Sequence, residues 1–213
     1  MPRHRLLALT LVLLAATSGC LGLLPSGATT FEAAPADVDS AAADGTGFEK
    51  NGTRDSVATR ELGPAGATET VKVISKVTTY EKTLEIPLLG STRLGVFSVV
   101  STPAVEIAGQ TFNPVGDYSN DRLVQTITDR FGTLSNVDRV SERQIVVSGT
   151  ETTVTKYAAT TTVEGREIDV FVHVTKVRDG EDFLVGVGVY PQQLDQESEI
   201  LTLMRAIEHP AES

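Results

Sequence analysis

Arg166-Glu167-Ile168-Asp169-Val170-Phe171-Val172-His173-Val174-Thr175-Lys176-Val177, a turn at Asp179-Gly180, then Asp182-Phe183-Leu184-Val185-Gly186-Val187-Gly188-Val189-Tyr190: this stretch decides the fold. Ile168, Val170, Val172 and Val174 recur at every second position, which puts them on one face of a strand. Phe171, His173, Thr175 and Val177 make a mixed opposite face. Asp-Gly between two such runs is a strong hairpin signal. Upstream, Arg139 to Ser148 and Thr152 to Val163 read as two more strands. They are joined through Ser148-Gly149-Thr150, and Glu164-Gly165 leads into the next. Connections this short force neighbouring strands to run antiparallel.

Outward from this core the signals become helical. Ser119 or Asn120 caps a helix from about Asp121 to Phe131, with Leu123, Val124, Ile127 and Phe131 as its apolar stripe and Gly132 as its stop. After Pro191, Asp195 caps a last helix to about Glu208, striped by Ile200, Leu201, Met204 and Ile207. Earlier in the chain, Thr70 to Glu85 reads as a long strand. Arg93 to Thr102 reads as a second one, apolar on both faces and so central. Pro35-Ala36-Asp37 reads as the first turn of an Ala-rich helix running to Asp44 and stopping at Gly45. Residues 46–68 read as polar connection with at most a brief strand from Val57 to Leu62.

The expected class is α+β: an antiparallel sheet of about six or more strands with amphipathic helices packed on it. This element order is similar to that of PsbP/Mog1-type α/β/α sandwiches, and a LolA-like curved sheet is the alternative. The expected organisation is a leader over 1–19, an anchor residue and flexible tether over 20–30, and a single domain over 31–210.

The leader is read from Arg3 and Arg5, the eleven apolar residues Leu6 to Ala16, and Thr17-Ser18-Gly19-Cys20. A basic start, a short apolar run and small residues before a cut are the parts of a secretory signal. A spanning helix needs roughly 20 apolar residues, so this run is too short to remain as one. Ser-Gly-Cys resembles the lipobox of prokaryotic lipoproteins, which implies a lipid on Cys20 and a place on the outer face of the cell membrane. Thr17 stands where such boxes usually carry Leu. His4 separates the two arginines, so the export route stays open. Cys20 is the one cysteine, so the domain has no disulfide.

Removing residues 1–19 takes the net charge from −10 to −12, because Arg3 and Arg5 leave with them. That balance argues against nucleic acid as a partner. Lysine is confined to Lys50, Lys72, Lys76, Lys82, Lys156 and Lys176, and Thr is frequent. An acidic, lysine-poor composition resembles proteins of halophilic archaea, in which hydrated carboxylates maintain solubility in concentrated salt. The lipobox together with Ser101-Thr102-Pro103, Phe112-Asn113-Pro114-Val115-Gly116-Asp117, Gly149-Thr150-Glu151-Thr152 and Val189-Tyr190-Pro191 resembles a family of uncharacterised haloarchaeal lipoproteins. The resemblance covers nearly the whole exported chain. It implies location and fold and brings no activity.

No catalytic constellation stands out. His173 and His209 lack ligand-spaced neighbours, so neither a metal nor another cofactor is expected. No Ser occupies a G-x-S-x-G elbow. Gly186-Val187-Gly188 lies inside a strand, where the glycines make room for a helix or a neighbouring side chain. The carboxylate pairs Glu181-Asp182 and Glu197/Glu199 fall in a turn and at a helix start. The expected function is therefore a non-enzymatic interaction module of the envelope. A carrier or sensor for a small apolar ligand is the alternative, and a hydrolase-like enzyme the third reading. Two surface features remain. Asn51-Gly52-Thr53 is an N-glycosylation sequon. The loop carrying Asn113, Asp117 and Tyr118 is the candidate ligand or partner surface, because ordered loops on rigid scaffolds often carry function.

Overall fold

The computed structural model describes residues 28–62, 69–86, 90–107, 110–111, 115–131, 134–163 and 165–210. Its strands are β1 (Ala28–Glu32), β2 (Asp37–Val38), β3 (Glu49–Leu62), β4 (Glu69–Ile86), β5 (Gly90–Pro103), β6 (Glu106–Ile107), β7 (Gln110–Thr111), β8 (Leu134–Val147), β9 (Thr150–Val163), β10 (Arg166–Asp179), β11 (Asp182–Pro191) and β12 (Ile207–Glu208). The helices are α1 (Ser40–Thr46), α2 (Asn120–Phe131) and α3 (Glu197–Arg205).

The four strands expected from alternation, β8 to β11, form one antiparallel meander. Its first turn shows how the sequence enforces this. Ser148 (φ 46°) and Gly149 (φ 73°) both take positive φ between the paired Val147 and Thr150. Two consecutive positive φ values give the turn whose twist matches its flanking strands. The meander joins the rest through β11, which pairs with β5 and so continues to β4. The full order is β1-β4-β5-β11-β10-β9-β8, with β3 on the other side of β4. β1 is the one parallel member, lying beside Thr70–Ile74, while β5 uses the same edge of β4 from Lys76 onward. The expectation of a central strand at Arg93–Thr102 holds, since β5 has partners on both sides.

Each face buries its own core. On the first face lie Tyr80, Phe97, Val99, Ile145, Val147, Val154, Val177, Leu184 and Tyr190, covered by Ala43 of α1 and by Ile200, Leu201, Leu203 and Met204 of α3. On the second lie Tyr157, Ala159, Val170, Val172, Val174 and Val185, covered by Leu123 and Val124 of α2. Burying each Val, Leu, Ile, Phe or Met side chain among these stabilises by roughly 1.5–3 kcal/mol. The class is thus α+β, an open mixed sheet carrying three helices, and the sheet dominates.

Four local expectations are corrected. The helix read from Pro35 begins at Ser40, because Asp39 supplies the cap by accepting from the Ala42 N–H at 2.9 Å. It ends where Gly47 takes a left-handed conformation, two residues beyond Gly45. The supposed connection over 46–68 contains the 14-residue strand β3. The last helix begins after Gln196, whose side chain makes no capping hydrogen bond, stops at Arg205, and gives way to β12, whose Ile207 pairs with Val38. Ala28 to Thr30, assigned by composition to the tether, form the first part of β1.

Candidate functional site

β10 carries one lysine amid its apolar residues, Lys176, on its α2 face. Its ammonium donates to the backbone carbonyls of Val115, Gly116 and Tyr118 at 3.0, 2.6 and 2.6 Å. A turn that exposes three carbonyls toward the sheet needs three donors, and an ammonium has three. Burial lowers the Lys176 pKa, and nearby Asp117 works in the opposite direction. The loop proposed from sequence is therefore anchored by a residue that its own sequence does not contain. Asp117 is exposed and Tyr118 half-buried, its ring 5.5 Å from the Arg122 guanidinium carbon. Asn113 lies outside the described residues, as does Cys20.

Beside this loop, α2 starts over β9. Ser119 Oγ caps it by accepting from the Arg122 N–H at 3.2 Å. Asn120 Nδ2 donates to Thr153 O and to Thr155 Oγ1, both at 3.0 Å. Tyr157 donates its hydroxyl to Asp121 at 2.7 Å. Burial and that carboxylate raise the Tyr157 pKa, so the phenol stays protonated. Arg139 bridges Asp121 and Glu142. The result is a polar recess of about 420 Å³ whose charged groups are largely paired with one another.

A second, larger cleft of about 590 Å³ opens at the other end of the same face. α2 packs on β10, β9 and β8. Beyond its reach Val96 and Val100 of β5 and Val187 and Val189 of β11 are only half-buried. Leu94, Val96, Ile168, Val170 and Val189 form the apolar half of its lining, and Thr83, Ser91, Thr92 and Thr161 with the Arg93–Glu81 pair form a polar half. This partly valine-lined trough was not foreseen. Its signal was already present in the double-sided apolar pattern of Arg93–Thr102, once α2 proved too short to cover the whole face.

Both histidines among the described residues are packed into the fold. His173 is 1% exposed; its Nε2 shares a hydrogen bond with the Tyr190 hydroxyl at 3.1 Å, and the two rings stack. Burial lowers its pKa to about 4, so it is neutral at pH 7. Beside it, Lys156 and Arg143 each hold Glu197, in the first turn of α3, at 2.7 Å. The hydrogen bond from Lys156 is the main reason the Glu197 carboxyl sits below its ordinary pKa. His209 gathers a serine and two aspartates: Nε2 lies 3.0 Å from Asp182 and 3.5 Å from Ser101, and Nδ1 lies 3.5 Å from Asp179. The grouping has the residue types of a triad, and its hydrogen bonds converge on the Asp182 carboxylate. Asp182 Oδ2 collects donors from His209, Ser101 and the Ala34 N–H. The Ser101 hydroxyl is fully buried and lies farther from the imidazole than the carboxylate does. The cluster clamps both ends of the domain onto β5 and β11. Among the described residues no group of three or more His, Cys, Asp or Glu side chains is arranged to hold a metal ion. Among them, too, no helix is long and apolar enough to cross a membrane.

These features define an α+β sheet domain with a polar recess near one end of its α2 face and a trough of mixed, partly valine lining at the other. The chain belongs to the family described as a domain of unknown function, DUF6517, whose model matches residues 35–208. No curated protein sequence matches it significantly. Several described residues of the motifs that carried the family resemblance make contacts within the fold. Ser101 binds Asp182, Thr102 accepts from Ser75 at 2.8 Å, Gly149 makes the β8–β9 turn, and Tyr190 stacks on His173.

Proposed function

We propose that this protein is an exported, lipid-anchored interaction module on the outer face of a halophilic archaeal membrane, working without catalysis. One observation supports the reading: the start of β1, the described strand nearest Cys20 in sequence, and the trough lie at opposite ends of the sheet. β1 starts at Ala28, eight positions after Cys20, and runs beside Thr70 of β4. Even fully extended, that tether reaches roughly 25–30 Å. The trough is lined by Glu81, Thr83 and the start of β5. From the level of Thr70 to that of Glu81 is about 36 Å along β4. A lipid on Cys20 would therefore hold the β1 end near the membrane and turn the trough toward the cell surface. Helices on both faces support kinship with PsbP/Mog1-type sandwiches, of which this would be a sheet-rich variant.

The test is Cys20→Ser in a halophilic host. The substitution is expected to move the protein from the membrane fraction to the medium, and retention on membranes would overturn the anchor. The trough also supports a second reading, a carrier of a small apolar ligand. Organic extraction of the purified domain followed by mass spectrometry separates the two. One small molecule near one per chain establishes the carrier; a blank leaves the docking of an envelope protein.

A further inference from the structure

β3 is an edge strand, paired only with β4 among the described residues. Long edges template unwanted pairing, and proteins blunt them with charges, bulges or covers. The opposite edge, β8, is interrupted by two register shifts, at Ser135/Asp138 and Arg139/Ser141. β3 has one, between Lys50 and Gly52, and from there its ladder runs unbroken to Leu62. Along that run Val57 is 54% exposed. The charges on β3 lie to either side of it, so its edge is less protected than that of β8.

The residue extruded at the single bulge is Asn51. Its side chain is exposed, and a Cβ added at Gly52 would meet nothing within 4 Å. The bulge is held on both sides: Lys50 pairs with Asp37 at 2.7 Å, and Thr53 Oγ1 lies 3.0 Å from Thr78 Oγ1. Thr78 spends its one hydroxyl hydrogen on Ala36 O, so Thr53 is the donor between them. Asn51-Gly52-Thr53 is also the one sequon in the chain; Asn113, Asn120 and Asn136 have no Ser or Thr two residues on.

We propose that Asn51 carries an N-linked glycan and that this glycan covers the β3 edge. The inference rests on the exported reading, because the co-substrate it needs is a lipid-phosphate-linked oligosaccharide at the outer membrane face. In the transfer, a bond forms between Asn51 Nδ2 and the anomeric carbon of the first sugar. The bond from that carbon to the phosphate oxygen breaks, the amide gives up one proton, and the lipid phosphate leaves. Transfer precedes the docking of β3 on β4, since the folded strand engages the Thr53 hydroxyl. The finished bulge then presents the sugar outward beside the regular part of the edge, where a bulky, hydrated group blocks a second strand.

The experiment expresses the full chain in a glycosylating halophilic archaeon and measures intact and peptide masses of the membrane-bound protein. The Asn51 peptide is expected to be heavier by sugar increments. Asn51→Gln and Thr53→Ala should abolish the increment, and Thr53→Ser should keep it. In sedimentation, Asn51→Gln should form dimers or larger species at concentrations where the glycosylated protein is monomeric. Adding Val57→Lys should restore the monomer. An unmodified Asn51 on a chain cut at Cys20 and anchored outside overturns the glycan and leaves the exported reading intact. A chain retained inside with its leader uncut overturns both. A glycan whose loss leaves the protein monomeric overturns the covering role.

Discussion

Gly188→Ala should destabilise the domain, although in most strands this change is neutral or helpful. Gly188 lies on the face of β11 under α3. A Cβ there would sit 2.5 Å from Ile200 Cγ2 and 2.9 Å from Ile200 Cδ1. Carbon contacts settle near 3.5–4.0 Å, so Ile200 or the helix must move by about 1 Å. Ile200 is fully buried, and its Cγ2 branches directly from Cβ, so rotation of a flexible end cannot relieve the clash. Overpacking a core typically costs about 1–3 kcal/mol. The stiffer unfolded chain returns about 0.4–1 kcal/mol. The net expectation is a loss of about 1–2 kcal/mol, or roughly 2–8 °C in Tm for a domain of this size. Urea unfolding in molar salt measures it. Gly45→Ala is the control: the same change lies in α1 with nothing within 4 Å, and should stabilise by about 0.5–1 kcal/mol. Ile200→Ala alone should cost about 2–5 kcal/mol. In that background Gly188→Ala should cost almost nothing, which locates the clash through the coupling. A Gly188→Ala protein as stable as the parent, or a loss that persists without the Ile200 side chain, would refute the account.

Other outcomes are expected. His173 is neutral in the fold with its pKa near 4, whereas an unfolded histidine binds its proton near 6.5. Its contribution is intact above pH 6.5 and is lost as pH falls toward 4, by about 3 kcal/mol; His173→Gln should flatten that acid limb in unfolding curves. Lys176→Met leaves the carbonyls of Val115, Gly116 and Tyr118 without their donor. It should cost about 1–3 kcal/mol and speed hydrogen exchange at residues 115–118, with unchanged protection counting against the anchor. The excess of Asp and Glu should make the unfolding midpoint rise steeply with salt up to molar concentrations, and a flat dependence would remove the halophilic inference.

The strands were legible where one face meets a core. Val170, Val172 and Val174 announce β10 because their partners across the sheet are also apolar. β3 escaped for the converse reason: as an edge strand exposed from Glu49 to Thr59, it carries Lys50, Thr53, Arg54, Asp55 and Ser56, with no apolar period to read. Ile207 continues the period of α3, yet it belongs to a strand, because a partner at Val38 outweighs local periodicity. Of the candidate loop, the turn and the Ser119 cap were readable from Pro114, Gly116 and Ser119. Its anchor was not, since Lys176 lies about sixty residues downstream and is named by register alone. The clamp of His209 on Asp182 and Ser101 was hidden likewise by its long separation in sequence.

The pairing of β12 with β2 sets the order in which the molecule can be completed. Ile207 lies on Val38, the Asp39 N–H donates to Ala206 O, and Asp182 holds Ala34. The N-terminal segment is thus closed, on the side away from β4, by residues from the far end of the chain. Contacts this distant in sequence raise the contact order and slow folding. In any process that delivers the chain from its N-terminus, β8 to β11 can zip up early from local hairpins. Residues 33–39 can meet Ile74, Thr78 and Tyr80 of β4 early, but their contacts with Asp182, Ala206 and Ile207 must wait until the last helix and strand have arrived. Until then they are a natural target for a chaperone, and proteolysis during biosynthesis should begin there.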